Sequence, residues 1–257
     1  FRSSAASDVY KRQGGECVVV DPSSKTPDSL AILKKKIDHV TSMGSVIIAT
    51  VFTHRHPDHV GNLDMISDVY DAPVWAGRET IESIPPEYPS KILREGDRIF
   101  LQGPSEISSW EIIETPGHCP GHICLVGKSG IVSGDNCVVI GTILVPSSEG
   151  DMTAYIDGLV RLNDLSPTML FPGHGPPCTN PGKLLGKYIR HRTARHQKVF
   201  EAVSSGIGSL DGIAKYAYLD TPGASPMLCL DQTLSHLKAL VSSGEVELSD
   251  GSYQLPE

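Results

Sequence analysis

Apolar positions along the chain fall into two rhythms. Short runs rich in β-branched residues predict strands at Glu16–Val20, Val46–Thr53, Val74–Ala76, Arg98–Leu101, Trp110–Glu114, Ile123–Val126, Gly130–Ser133, Val138–Ile140 and Thr168–Phe171. Apolar residues recurring every three to four positions predict helices over Ser29–Met43, Val60–Tyr70, Met152–Leu165 and Pro181–Ser204. Asp28 or Ser29 is the candidate N-cap of the first helix, and Gly44 lies just past its end. After Phe200 the texture changes. Leu210–Tyr218 and Met227–Ser243 read as helices, and Glu245–Leu248 and Tyr253–Leu255 flank the hairpin dipeptide Asp250-Gly251. Helix, helix, hairpin is the order of a small winged-helix appendage.

The first residues follow neither rhythm. Phe1–Gln13 has no initiating Met and lacks the apolar core of a signal peptide, so it is read as a non-native or disordered leader or the edge of a truncated product. At ~150 residues per domain, 257 residues predict one large domain with an appendage. The expected division is a leader over 1–13, a main domain over 14–188 and a helical, winged-helix-like domain over 189–257.

Charge and cysteine content narrow the function classes. A net charge of −8 argues against binding duplex nucleic acid through the whole surface. The candidate recognition helix, Pro226–Ser243, carries Asp231 and Lys238 and sums to zero, which argues against duplex DNA. The longest apolar run, Val46–Phe52, is too short to span a bilayer. Six Cys without a CxxC pair do not make a disulfide framework. Cys17, Cys124, Cys137, Cys178 and Cys229 read as core or loop thiols, which favours a reducing compartment such as the cytoplasm or mitochondrial matrix. A monomer or a homodimer is expected.

Ten His are many, and their positions carry the chemistry. Thr53-His54-Arg55-His56-Pro57-Asp58-His59 directly follows an apolar strand. Four possible ligands within six residues strain a single tetrahedral zinc and suit two adjacent metals, since zinc accepts neutral His nitrogens and Asp oxygens at ~2.0–2.2 Å. Three more groups follow apolar strands: His118 in Pro116-Gly117-His118, Asp135 in Gly134-Asp135, and His174 in Pro172-Gly173-His174-Gly175. A Gly precedes each, which permits a tight turn.

The series HxHxDH, GH, GD, PGHG resembles the metallo-β-lactamase superfamily over nearly all of residues 14–188. That resemblance implies an α+β fold, a four-layer αββα sandwich with metals at one edge. It implies that His54, His56 and His118 hold a first metal, that Asp58, His59 and His174 hold a second, and that Asp135 bridges them. Two Zn2+ are implied, with iron or manganese also compatible with a mixed nitrogen–oxygen site. A nearer resemblance is to the beta-lactamase-like protein 2 branch, through Pro146-Ser147-Ser148-Glu149-Gly150-Asp151-Met152 with Tyr155, through His191-Arg192-Thr193-Ala194-Arg195, and through a closing winged helix over Leu210–Leu255. The branch begins with about two more strands before the segment matching Cys17–Asp21, which are not seen here. It also has Glu where His196 stands.

Metal-lowered water pKa, to ~7, supplies a nucleophile at neutral pH, and Asp58 and Asp135 are candidates to orient the water or take its proton. This chemistry serves thioesters, lactams, lactones and phosphodiesters alike. Bridging Asp135 resembles the glyoxalase II and RNA-processing branches rather than the main resistance β-lactamases. No insertion the size of a β-CASP domain fits between Asp135 and His174. The resemblance implies endonuclease activity on a small anionic substrate such as short single-stranded RNA. Thioester hydrolysis is the rival, and metal binding without turnover is a further one.

Lys187–Lys198 carries five cations and no acid, and Arg192 and Arg195 share a helical face. With His191 they are candidate ligands for an anionic substrate group, or else a solvated helix face. His122 is a structural residue or one that orients His118 or Asp135. Asp21 either supports the ligands from behind or ends a strand. Tyr155 either bonds near the site or packs in the core. Cys119 reads as a small buried residue, and His39, His196 and His236 as surface residues.

Overall fold

In the computed structural model the described residues are 15–256, so the leader expected over 1–13 lies outside them. β1 (Glu16–Val20) and β2 (Val46–Phe52) pair in parallel, connected through α1 (Pro27–Ser42). A parallel pair needs such a crossover, because a two-residue turn reverses direction. The start of α1 differs from expectation. Thr26 is the N-cap, its Oγ1 accepting from Ser29 N while Ser29 Oγ accepts from Thr26 N. Pro27 takes the first helical position, where its missing N–H costs nothing, and Ser29 acts as the third-position partner of a capping box.

The helix expected over 60–70 is two short ones, α2 (Pro57–Val60) and α3 (Leu63–Ser67). Gly61 breaks it with φ +73, and a Cβ there would sit 2.7 Å from Ser24 N. Asn62 then caps α3 by accepting from Met65 N. β3 (Val74–Ala76), α4 (Arg78–Ile81) and β4 (Ser90–Ile92) complete an all-parallel sheet in the order β1-β2-β3-β4. Ser-Lys-Ile at the sheet edge has no apolar alternation, which is why β4 was not expected.

The second sheet runs β5 (Arg98–Gln102), β6 (Ile107–Glu114), β7 (Ile123–Gly127), β8 (Gly130–Gly134) and β9 (Leu170–Pro172), in that order. Its pairs are antiparallel except β8–β9, which is parallel. The strand expected at 138–140 does not form, and Ile140 is exposed. Between the sheets lie Val18, Ala49 and Val51 from one and Ile99, Leu101, Trp110, Ile112, Ile123 and Leu125 from the other. On the outer face of the first sheet, Val19 packs with Leu33, Ile37 and Ile66 of α1 and α3. The layers are therefore helix, sheet, sheet, an α+β sandwich.

These elements belong to one compact unit, 15–115, 120–142 and 166–181; a second unit comprises 116–119, 143–165 and 182–256. The second contains α5 (Met152–Asp164), α6 (Pro181–Ser204), α7 (Leu210–Ala217), α8 (Pro226–Ser242) and a hairpin of β10 (Glu247–Ser249) and β11 (Ser252–Gln254). The division expected at 188/189 falls inside α6, a helix of 24 residues with no break, and the units part at its N-terminal end instead. Val199, Val203, Ile213, Leu237, Leu240 and Val246 form the second core. His236 is fully buried rather than on the surface, its Nδ1 3.1 Å from His196 Nδ1. α8 buries eight of its residues, spread around the helix, so a single apolar stripe does not describe it.

Candidate metal centre

Two parallel strand pairs build the site. Strands of a parallel pair point the same way, so their C-terminal ends share an edge. β1 runs into Asp21, β2 into Thr53–His59, β8 into Asp135, and β9 into Gly173-His174. Gly134 turns the chain at φ +47, and a Cβ there would meet His122 Nε2 at 2.6 Å and Thr53 Oγ1 at 2.7 Å. Only glycine fits both the backbone angle and the space.

In the first unit, six of the seven expected ligands come together. His54 Nε2 lies 3.1 Å from His56 Nδ1, and His59 Nε2 lies 3.2 Å from His174 Nε2. Asp135 Oδ1 is 3.4 Å from His59 Nε2, and its Oδ2 is 3.6 Å from His174 Nε2. Asp58 Oδ2 is 3.3 Å from His174 Nε2. Within each of the sets His54–His59–Asp135 and Asp58–His59–His174, the donor atoms all lie within 4.8 Å of one another. A tetrahedral zinc with bonds of ~2.0–2.2 Å separates its ligands by about 3.3–3.6 Å. The observed spacings, 3.1–3.6 Å, lie within about 0.2 Å of that edge length, so the donors fit a metal ion of this size.

Hydrogen bonds behind the ligands select which nitrogen faces inward. Asp21 Oδ2 accepts from His59 Nδ1 at 2.9 Å and from Thr53 Oγ1 at 2.6 Å, while Oδ1 accepts from Thr53 N at 2.8 Å. Because Thr53 gives its proton to Asp21, its Oγ1 accepts from His54 Nδ1 at 3.0 Å. Both histidines thus carry the proton on Nδ1 and leave Nε2 as the metal-facing lone pair. His122 serves the backbone. Its Nε2 accepts from Asp135 N at 3.1 Å and its Nδ1 donates to Thr115 Oγ1 at 2.8 Å. Thr53 was not singled out from the sequence; its only signal is its place between the strand and His54.

The field in this pocket favours a cation. Burial pulls the His59 imidazole down, but the charge of Asp21 and hydrogen bonds to Asp135 and Asp21 outweigh it and take the ring up to about 10. His174 is raised by its hydrogen bond to Asp58, against burial. The same bond, opposed by burial and aided by the charge of His59, holds Asp58 below the usual carboxylate range. Fixed negative charge that retains a proton on a buried ring is charge a metal cation can neutralise.

The remaining expected residues lie in the second unit. His118 is 5% exposed, and its Nδ1 donates to Leu144 O at 2.7 Å. Tyr155 is fully buried, and its backbone packs so closely on Gly117 that a Cβ there would sit 2.1 Å from Tyr155 Cα. Arg192 and Arg195 do not form a basic surface. They are 2% and 5% exposed. Arg192 donates to Gln232 Oε1 and Ile143 O; Arg195 donates to Ala217 O, Asp220 and Thr221 and stacks on Tyr218. Their guanidinium groups bond within their own unit rather than forming the solvated helix face that the sequence also allowed. His191, beside them, is exposed.

A sandwich edge carrying convergent His and Asp donors is the architecture of a metal-dependent hydrolase. Residues 8–174 match the profile described as Metallo-beta-lactamase superfamily, and the chain belongs to that family. It is 27% identical over 226 residues to a beta-lactamase-like protein 2 homolog of Caenorhabditis elegans, covering 82% of this chain and 72% of that protein. It is 30% identical over 160 residues to a hydroxyacylglutathione hydrolase of Wigglesworthia glossinidia brevipalpis, covering 62% of this chain and 56% of that protein. A beta-lactamase domain protein from Burkholderia ambifaria shares the fold with a TM-score of 0.74 at 20% identity, covering 95% of this chain and 86% of that one.

Proposed function

We propose that the chain is a dinuclear zinc hydrolase acting on short single-stranded RNA or a similarly small anionic substrate. The observation that carries the metal part is the convergence of His54, His56, Asp58, His59, Asp135 and His174 at ligand spacing. On the family's pattern His118 completes the set. Metals held by these residues would supply Lewis acidity and would lower the pKa of water to ~7. Asp58, whose side chain is 59% exposed, is with Asp135 the candidate to orient the attacking water or take its proton. Asp135 is held by its backbone N–H on His122, and Asp21 keeps the His59 and His54 rings aimed. RNA as the substrate is what the resemblance to the beta-lactamase-like protein 2 branch implies, and the chain matches one homolog of that name over 82% of its length. Leu210–Leu255, with α7, α8 and the hairpin, is read as a winged helix without duplex recognition, because Asp231 and Lys238 of α8 are both bonded to Ser147.

A second reading, thioester hydrolysis, is favoured by the 30% identity to a hydroxyacylglutathione hydrolase. Metal analysis followed by parallel assays on a short single-stranded RNA and a glutathione thioester, each with Asp135→Ala, decides between them. RNA cleavage lost in the variant is the expected result. Thioester cleavage alone selects the second reading. Fewer than one equivalent of metal sinks the dinuclear centre, and two metals without turnover on either substrate overturn both substrate readings and favour metal binding without turnover.

A further inference from the structure

Two side chains of the second unit meet at the backbone that orients His118. Because a carbonyl only accepts, the 2.7 Å contact to Leu144 O puts the His118 proton on Nδ1 and makes Nε2 the unprotonated nitrogen. Leu144 belongs to an irregular segment, so its carbonyl is only as well placed as its neighbours. Both neighbours are held. Val145 N donates to Gln232 Oε1 at 3.2 Å, and Val145 O accepts from Gln232 Nε2 at 2.9 Å. One primary amide therefore closes on both backbone groups of Val145, as an adjacent strand would. On the other side, Ile143 O accepts from Arg192 Nη2. Arg192 Nη1 also donates to Gln232 Oε1 at 3.0 Å, which ties the two holders together.

Gln232 is 4% exposed, Val145 0%, Ile143 5% and Arg192 2%. In that low-dielectric setting these bonds are stiff, and leaving one unmade is costly. We infer that Gln232 and Arg192 are positioning residues for His118: they fix the Leu144 carbonyl and thereby the tautomer and aim of the imidazole. The inference rests on the proposed function in taking His118 as a metal ligand. It also explains the residue type. Only an amide both accepts from Val145 N and donates to Val145 O; Glu keeps the acceptor alone, and Met keeps neither.

The test uses the full chain, metal-free and zinc-loaded, as wild type, Gln232→Met, Gln232→Glu, His118→Ala and the His118→Ala/Gln232→Met double variant. A long-range 1H–15N spectrum of the metal-free protein reads the His118 tautomer, and zinc titration reads each affinity. Wild type is expected to show a slowly exchanging Nδ1–H. Gln232→Met is expected to show mixed tautomers and roughly 10- to 100-fold weaker binding of one zinc, the scale for partners behind a ligand. Gln232→Glu falls between, and keeps the inference testable if the Met variant folds poorly. The double variant binds no worse than His118→Ala. Gln232→Met with the wild-type tautomer and both affinities overturns the inference while the proposed function stands. His118→Ala that binds both zincs as wild type does overturns the ligand assignment, and a tautomer change in Gln232→Met would still uphold the positioning.

Discussion

Gly173→Ala tests the metal centre without touching a ligand. Gly173 N donates to Gly134 O at 2.9 Å, which holds the His174 turn against the Asp135 turn. A Cβ added at Gly173 would lie 2.5 Å from His59 Cε1 and 2.6 Å from Asp135 Oδ1, whereas ordinary contact begins at 3.4 Å. One or both groups must retreat by roughly 0.8–0.9 Å, and metal–ligand distances tolerate only about 0.2 Å. Forcing a methyl into such packing costs about 1–3 kcal/mol. At ~2–4 °C per kcal/mol for a chain of this size, the melting temperature falls by about 2–12 °C. Metal affinity falls by at least about 10-fold, as for loss of a supporting partner. Gly182→Ala is the control, because nothing lies within 4 Å of its Cβ. There the substitution is neutral or stabilises by up to about 1 kcal/mol. Equilibrium dialysis with metal analysis, alongside calorimetry of the metal-free forms, measures both effects. A Gly173→Ala variant that holds metal as tightly as wild type refutes the placement of His59 and Asp135 as ligands.

Other substitutions follow the same logic. Asp21→Asn places an amide donor against Thr53 Oγ1 and His59 Nδ1, so metal-free stability drops by about 1–3 kcal/mol in urea unfolding and zinc titration shows weaker binding. Arg195→Met removes the donors to Ala217 O, Asp220 and Thr221 and lowers stability, while kcat and KM on the cleaved substrate hold; a raised KM alone would restore a substrate role. Burial, with the positive charge of Arg192, His196, Arg195 and His191, lowers the His236 pKa well below its usual value. The unfolded chain then binds more protons below pH ~6.5, so stability present above that pH is lost as pH falls, by up to about 1.4 kcal/mol per unit for this one ring. Because the raised His59 acts in the opposite sense above pH ~6.5, urea unfolding of metal-free protein from pH 6.5 to 5.5 reads the effect, as the slope of wild type minus that of His236→Phe.

Strand and helix placement was readable wherever burial is one-sided or complete along a run. β2, Val-Ile-Ile-Ala-Thr-Val-Phe, could only be an inner strand, and Pro181–Ser204 carries a helical apolar period from end to end. What failed was decided at a distance. Gly61 breaks a helix because Ser24 occupies the space beside it, and β4 exists because β3 offers an edge to pair with. Neither condition is written in the local residues.

The site divides in the same way. His54, His56, Asp58 and His59 share one loop, and Gly before His118, Asp135 and His174 marks tight turns after strands, so the donors were visible as a series. Their support was not. Asp21 reads as a strand end until Thr53 and His59 close on it. Arg192 and Arg195 show the limit of spacing: a basic helix face and a row of buried guanidiniums have the same spacing. The partners that distinguish them, Gln232 and Ala217–Thr221, lie 22 to 40 residues along the chain. Cation spacing along α6 therefore says nothing about anions until the acceptors around each guanidinium are counted, and for Arg192 that count leads to the carbonyls beside Leu144, and so to His118.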